Sequence, residues 1–450
     1  MSDETPRFGL GTYEAGDTEW DHTDTVEAVD EFAVGRGSIE NRPDEGAYDD
    51  ELYLATDQRV LWRWDAGDED WQPATGLGTE TDPLPGTAHL ESLEATSVND
   101  VVYVDPDGGY DELQSTLDEY GDDPVTVVIR PGVVDDVADN LVVPGNTWLR
   151  GSGMFGTTVL KFADDASGDL SNAGLVRIKE DNVVLSDLEV DGNRANVEDT
   201  GDEYGFFSSA ANNIRIERVW THHCPGYGFD PHATAGVQTS QLTIRDCISS
   251  DNGLDGFTLA GLKNATLENC VGVDNDRHGA NLTDVEGEDI TVSNCVLARN
   301  GGDGLTVQVG VDGVSITGTS INGNANNGIR LGSSTGPAEN VTITGNVVRE
   351  NGEYGANLSR ASNVSITDNV FEENVTERGN AEISVQENVD PSGFVSAIGN
   401  QLVVGDASFG FDERGGTGPS IVLGNVVRGT YSTAIRSSHD DSEVAANLTS

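Results

Sequence analysis

The sequence predicts an all-β chain: a right-handed parallel β-helix over residues 98–450, preceded by an arm and small β module over 1–97. Three observations predict it. A strand-sized segment recurs at short intervals, Gly and Asn punctuate the copies, and the pattern changes near Ser97. Crossover connections between parallel strands are right-handed, which sets the expected hand.

Residues 1–50 carry few apolar runs and read as an extended arm. Four of the six Trp fall within 1–97, three of them in LYLATDQRVLWRWDAGDEDWQP (52–73). Alternating apolar positions around the Asp65-to-Asp70 turn predict a hairpin. This stretch resembles the small β modules at the head of phage tail fibres and spikes. Next, DELQSTLDEY (111–120) predicts a short helix, and VTVVIRPGVV (125–134) and LVVPGNTWLRGSG (141–153) predict the first coils. A helix followed by a strand ending in Pro-Gly resembles the opening of many pectate-lyase-like β-helices.

The repeat follows. LTIRDC (242–247) recurs as ATLENC (265–270), ITVSNC (290–295), VSITGT (314–319), VTITGN (341–346) and VSITDN (364–369). Weaker copies are IRIERV (214–219), FVSAIGN (394–400) and SIVLGN (420–425). Their last residues step by 28, 23, 25, 24, 27, 23, 31 and 25, the period of a solenoid. About ten coils are expected. Ile, Val and Leu alternate inward, and Gly and Asn take the turns that need positive φ. Like residues at one position of successive coils stack about 4.8 Å apart. Cys247, Cys270, Cys295, Asn346 and Asn369 should therefore form one column, the thiols replacing an Asn ladder. The four Cys, Cys224 included, lack zinc-type pair spacing.

Acidic residues outnumber basic ones 79 to 24, for a formal charge of -55, and only Lys161, Lys179 and Lys263 are lysines. Such a surface holds water and stays soluble when salt screens its self-repulsion, as in a halophile. It excludes nucleic acid as a partner, since phosphate binding needs clustered Lys and Arg. No run approaches 18 apolar residues, so no membrane span is expected, and the start shows no signal peptide.

Histidine is scarce at seven, yet His222, His223, His232 and His278 fall within 57 residues. Arg194, Arg218, Trp220, Tyr227, Arg245 and Arg277 gather around them. An acidic protein that collects its bases in one place is placed to bind an anion there; the alternative is a set of solvated turn residues.

The segments themselves are more specific. GYGFDPH (226–232), LTIRD (242–246), DNGLDGF (251–257) and NDRHGANL (275–282) together resemble the catalytic module of the mannuronan C-5-epimerases, β-helix enzymes acting on alginate, some of which are lyases. The resemblance extends upstream through IERV (216–219) and DGNR (191–194), covering roughly 190–310. It implies His232 and Tyr227 as an acid/base pair, Asp230 and Arg277 around the substrate carboxylate, and His278 and Asp255 nearby. Asp255 also reads as a structural residue of a DG turn. Arg194 stands where the family has Lys, which keeps charge but changes geometry. His222 and His223 match no catalytic position and are read as groove-lining or turn-capping residues.

The chemistry fits these residue types. The hydrogen on carbon 5 of a uronate is hardly acidic until its carboxylate is neutralised. A base on one sugar face and an acid on the other then complete the reaction. Reprotonation from the opposite face epimerises; expulsion of the carbon-4 oxygen cleaves. His is a plausible base near neutrality, and Tyr shares that work if a neighbouring Arg lowers its pKa. Pro231 stiffens the backbone between Asp230 and His232. No cofactor or metal ligand set is required; Ca2+ is admitted as a structural ion.

The resemblance implies calcium-binding nonapeptide repeats downstream, and the C-terminal third carries ordinary coils instead. Absent export signals and the N-terminal module place the expected protein on the surface of a haloarchaeal virus, made in the host cytoplasm. It would bind and modify an acidic polysaccharide or host surface glycan, with residues 1–97 attaching it to other virion proteins. A homotrimer is expected only by analogy with viral spikes. Two alternatives stand beside it: a catalytically silent glycan-binding virion protein, and a free extracellular halophile epimerase or lyase.

Overall fold

The computed structural model describes residues 100–450 apart from 165, 167–172, 198–202, 234–238, 285, 387–393 and 415–417, together with short strands before residue 100. The chain divides into two compact units, Met1–Val98 and Asn99–Ser450.

In the first unit Gly35–Gly37, Leu52–Ala55, Val60–Asp65 and Asp70–Pro73 form a four-stranded sheet. The expected hairpin is there, antiparallel with Asp65 opposite Asp70. The expected arm over 1–50 lies, apart from Gly35–Gly37, outside the described residues.

The second unit is a parallel β-solenoid of about 13 turns. One strand per coil enters a 12-stranded sheet, and the other strands form a 25-stranded sheet. One coil runs from Phe257–Ala260 in the first sheet to Leu262–Glu268 and Val271–Val273 in the second, then returns at Ala280–Thr283. The expected ten coils were too few. The count rested on copies of one strand, whereas the first turns, such as Val125–Ile129 and Thr147–Arg150, end without the Cys or Asn that marks the later ones. The predicted helix is Gly109–Tyr120, with Leu113 and Leu117 fully buried.

Two corners per coil use a residue in the left-handed region. One corner is Asp246, Asn269, Asn294, Gly318, Gly345, Asp368; the other is His223, Asp251, Asp274, Arg299, Gly323, Glu350. Asn, Asp and Gly tolerate that conformation best, which explains the punctuation of the repeat. After each corner a side chain points inward. After the first lie Cys247, Cys270, Cys295, Thr319, Asn346, Asn369, Asn400 and Asn425, the column the sequence predicts. Asn346 Nδ2 donates to Ile316 O in the preceding coil (2.9 Å) and to Asn369 Oδ1 in the next (3.0 Å). Each amide thus ties three coils together and satisfies polar groups that would be costly to bury unpaired. Upstream, Cys247 and Cys270 Sγ approach the corresponding carbonyls, Ile216 O and Ile244 O, at 3.6 and 3.5 Å. All four cysteines are free and buried. Cys224 belongs to the other corner. It heads a second ladder through Asn252, Asn275, Asn300, Asn324, Asn351 and Asn374 that ends on Glu382.

Candidate active site

Tyr227, Asp255 and His278 occupy one position of three successive coils, immediately before Gly228, Gly256 and Gly279. Each of these glycines donates its N–H to the carbonyl of the residue one coil on: Asp255, His278 and Asp303. A Cβ on any of them would come within 2.8 Å of the next glycine's carbonyl oxygen, so the repeated glycine lets the coils close up. Strand Phe229–His232 follows Gly228 and enters the 12-stranded sheet, sending Phe229 inward. Phe229 stacks on Phe257 (centroids 5.0 Å, 12°), and this fully buried pair supports the strand. Asp230 and His232 alternate to the outer face.

Arg277 leans back along the helix axis. Its Nε and Nη2 donate to the two Asp255 oxygens at 2.5 Å each, and Nη2 also reaches the Tyr227 hydroxyl at 3.2 Å. The guanidinium lies 5.2 Å from the Tyr227 ring centre. Asp255 further accepts from Thr258 Oγ1, Asn281 Nδ2 and the His278 N–H, each at 3.0 Å. Burial would raise the Asp255 pKa, but Arg277, His278 and Asn281 outweigh it and hold the carboxyl below its ordinary value. Asp255 is fully buried, as its reading as a structural turn residue expects: it stands behind Arg277 and fixes its plane.

His278 Nδ1 accepts from the Asp303 N–H at 2.9 Å. Burial lowers its pKa, so the ring is neutral and donates only through Nε2. His232 Nδ1 lies 3.9 Å from Asp230 Oδ1. Bonding to Asp230 raises the His232 pKa, while burial raises that of Asp230, so the pair competes for one proton. Tyr227 departs from expectation. Burial raises its pKa, and the opposing pull of Arg277 does not overcome it, so the group is a neutral phenol.

The remaining expected residues lie elsewhere. Arg194 pairs with Asp276 at 2.7 Å, on the turns beside the network, so its charge is already matched. His222 and His223 are at the end of strand Ile214–His222 in the 25-stranded sheet, where His222 is buried against Glu189. Of the two expected roles, groove-lining or turn-capping, the left-handed corner at His223 suits the second.

Sequence reasoning missed Arg177, Tyr204 and Phe207. Register places Phe207 opposite Asp230 and Arg177 opposite Phe207. Tyr204 packs edge-on to Tyr227 (5.1 Å), Phe207 lies 6.4 Å from His232, and the Arg177 guanidinium 5.7 Å from Phe207. The signal was present: YGFF (204–207) is the preceding coil's copy of YGFD (227–230). The face therefore offers an aromatic floor, cationic groups in an otherwise acidic protein, a phenol and a histidine–carboxylate pair.

Residues 236–390 match the family described as right handed beta helix region. Mannuronan C5-epimerase AlgE5 of Azotobacter vinelandii is 39% identical over 181 residues, 38% of this chain and 17% of that protein. Alginate lyase 7 of the same organism is 37% identical over 160 residues, 33% of this chain and 18% of that protein. The chain thus matches less than a fifth of the length of either relative. The Azotobacter vinelandii mannuronan C-5 epimerase AlgE6 A-module superposes with a TM-score of 0.67 at 28% identity, covering 76% of this chain and 95% of that one. The second unit is a right-handed parallel β-helix, similar in sequence to part of these enzymes and in fold to the AlgE6 A-module.

Proposed function

We propose that the chain modifies a uronate-containing polysaccharide, removing the carbon-5 proton and either delivering another to the opposite face or expelling the carbon-4 oxygen. The observation that carries this reading is the Tyr227–Arg277–Asp255 network next to the Asp230–His232 pair on one sheet. Arg277 keeps Nη1 for a substrate carboxylate after Asp255 and Tyr227 have taken Nε and Nη2. Neutralising that carboxylate makes the carbon-5 proton removable. Neutral His232 takes the proton, with Asp230 steadying the imidazolium that forms, and the Tyr227 phenol supplies a proton from the other side. His278 presents Nε2–H from the adjacent coil.

The test is incubation in high salt, in D2O, with mannuronate and guluronate polymers and with cell-envelope glycan. Deuterium at carbon 5 of an epimerised uronate, or a new carbon-4–carbon-5 double bond in a cleaved one, supports the reading. If no polymer exchanges or is cleaved while one binds, the catalytically silent glycan-binding alternative takes its place.

The chemistry as proposed needs no cofactor; a structural Ca2+ is kept as a proposal, checked by the effect of chelation on Tm. Placement on a virion surface, with residues 1–97 as the attachment and a trimeric state, is also kept as a proposal. Its support is that Met1–Val98 forms a unit of its own with a sheet of its own. Cross-linking to particle proteins would support it, and recovery only as free chains would replace it with the free-enzyme alternative.

A further inference from the structure

A second cluster of chemistry-bearing side chains sits on the 25-stranded sheet. Strands Val184–Asp191 and Ile214–His222 pair in parallel, with Asp191 opposite His222 and Glu189 opposite Trp220. His222 ends its strand, and His223 takes the left-handed corner (φ 51°). That corner is part of the ordinary coil path, so the backbone delivers two adjacent imidazoles to one spot without special distortion. The rings stand edge to face at 85°, with Nδ1 of His222 2.6 Å from Nδ1 of His223. Asp191 Oδ1 lies 3.9 Å from His222 Nδ1, and one ligand atom from each of the three residues falls within 4.8 Å of the others.

The surroundings decide what this trio can hold. Glu189 is buried; its Oε1 is 2.9 Å from His222 Nε2, and its Oε2 accepts the Gly156 N–H at 2.7 Å. A carboxylate fixed in this way accepts a hydrogen bond from Nε2–H, which selects the tautomer that leaves Nδ1 with its lone pair. This is the outer-shell arrangement that orients an imidazole toward a metal. Without an ion the two Nδ1 atoms share a hydrogen bond at 2.6 Å, His223 donating to the His222 lone pair. An ion would replace that proton, with the nitrogens parting to about 3.3 Å, the span of two zinc–nitrogen bonds at a tetrahedral angle. The Asp191 carboxylate lies within reach of the same place. Trp220 packs 4.2 Å from the His222 ring and Phe155 5.5 Å from Trp220, forming an apolar wall on one side. His223 is exposed and Asp191 half-buried, so the other side is open to solvent.

We propose that Asp191, His222 and His223 bind a divalent transition-metal ion of the zinc class, with Glu189 as the outer partner of His222. Two imidazoles and one carboxylate suit zinc, nickel or cobalt; calcium and magnesium take oxygen ligands. Three protein ligands leave a fourth position for water or a ligand from solution. Asp191 and the two histidines come from adjacent coils, so the ion also staples one coil to the next. Neither His222 nor His223 belongs to the carbohydrate-facing network, and the inference stands whether or not that network is catalytic.

The test uses the full chain, stripped with chelator and held in high salt to screen the acidic surface. Titration calorimetry with zinc chloride alone should show one ion per chain at micromolar affinity or tighter, and excess Ca2+ or Mg2+ should not compete. Cobalt should give visible d–d bands of an imidazole-containing site. His223→Ala, at an exposed ring, and Asp191→Asn each remove a ligand and should weaken zinc binding by more than the roughly 10–100-fold that an outer partner is worth, with unchanged circular dichroism. Glu189→Gln should weaken it by less. Absence of zinc binding up to millimolar concentration would overturn the proposal. So would equal affinity in the His223→Ala chain, which would place the ion elsewhere on the acidic surface.

Discussion

The coils that carry Tyr227, Asp255 and Arg277 and the coils beyond about residue 310 follow the same backbone path. They differ in what the shared positions hold. Before the repeated glycine the upstream coils place Tyr227, Asp255 and His278, and the downstream coils place Asn327 and Tyr354. After the first corner the upstream coils place thiols, and the downstream coils place the amides Asn346, Asn369, Asn400 and Asn425. Downstream, polar side chains are spent on each other: Asn346 reaches its neighbours in both directions, and Asp412 is taken up by Arg414 and Arg436. Upstream, Arg277, Tyr227 and His232 keep partly open faces. The inward columns hold the solenoid together, and the outward residues of a few upstream coils carry the chemistry.

The largest effect that would break this division concerns His232. Its replacement by Ala should lower turnover on the right uronan by about 10²–10⁴, the usual worth of one acid/base group. Thermal unfolding should hardly change, because the side chain is partly exposed at 41%. Retained activity, or a collapse of Tm, would show that catalytic and structural roles are not divided between the two regions.

A downstream effect should appear at Glu382. It closes the second Asn ladder through Asn374 Nδ2 (2.6 Å), and burial pushes its pKa up to about 7. The folded state therefore prefers the protonated acid, and stability falls as pH rises from about 4.5 through 7. Gln keeps the acceptor for Asn374 and never ionises. Glu382→Gln should leave stability unchanged near pH 4 and raise it by up to about 3 kcal/mol at pH 8, read by denaturant titration at the two pH values. An equal stability difference at both would remove the ladder-end account.

Asn346 tests the ladder itself. Its loss leaves the Thr319 N–H, bonded to Asn346 Oδ1 at 2.8 Å, and the Ile316 carbonyl unsatisfied inside the solenoid. Asn346→Ala should cost about 1–3 kcal/mol and leave kcat alone. An unchanged denaturation midpoint would mean that the amide column adds nothing beyond shape.

The fold was legible because its signals repeat. Positive-φ corners demand Asn, Asp or Gly every coil, inward positions demand Val, Ile or Leu, and Cys247 to Asn425 announce the column directly. Within the site, Tyr227 and Arg277 were legible together from YGFDPH and NDRHG, and the structure brings the phenol and guanidinium into contact. What was not legible depended on register or burial. Phe207 and Arg177 join the face only through strand pairing one and two coils away from Asp230. Asp255 looks like a turn residue in DNGLDGF, and only its complete burial shows that it holds Arg277 from behind. His222 and His223 are close to Tyr227 in sequence, yet one corner of the coil sends them to the other sheet. The direction of the Tyr227 shift was misjudged because a neighbouring Arg is visible in sequence and burial is not.

The subtlest prediction concerns the proton shared by Asp230 and His232. As a base, His232 acts in its neutral form, so activity should rise with pH through its pKa, which the bond to Asp230 holds above the ordinary histidine value. Asp230→Asn removes the negative partner and with it the first cause of that shift. The acid limb of kcat/KM should then move to lower pH, even where the maximal rate falls. The alkaline limb, set by ionisation of a Tyr227 phenol that burial already keeps protonated, should stay where it is. An acid limb unmoved in Asp230→Asn would assign the titration to another group and take the base role from His232. A limb that moves upward would reverse the electrostatic sense of the pair. Either result would reassign roles among the outward residues of the upstream coils, while the inward columns common to both regions would stand as described.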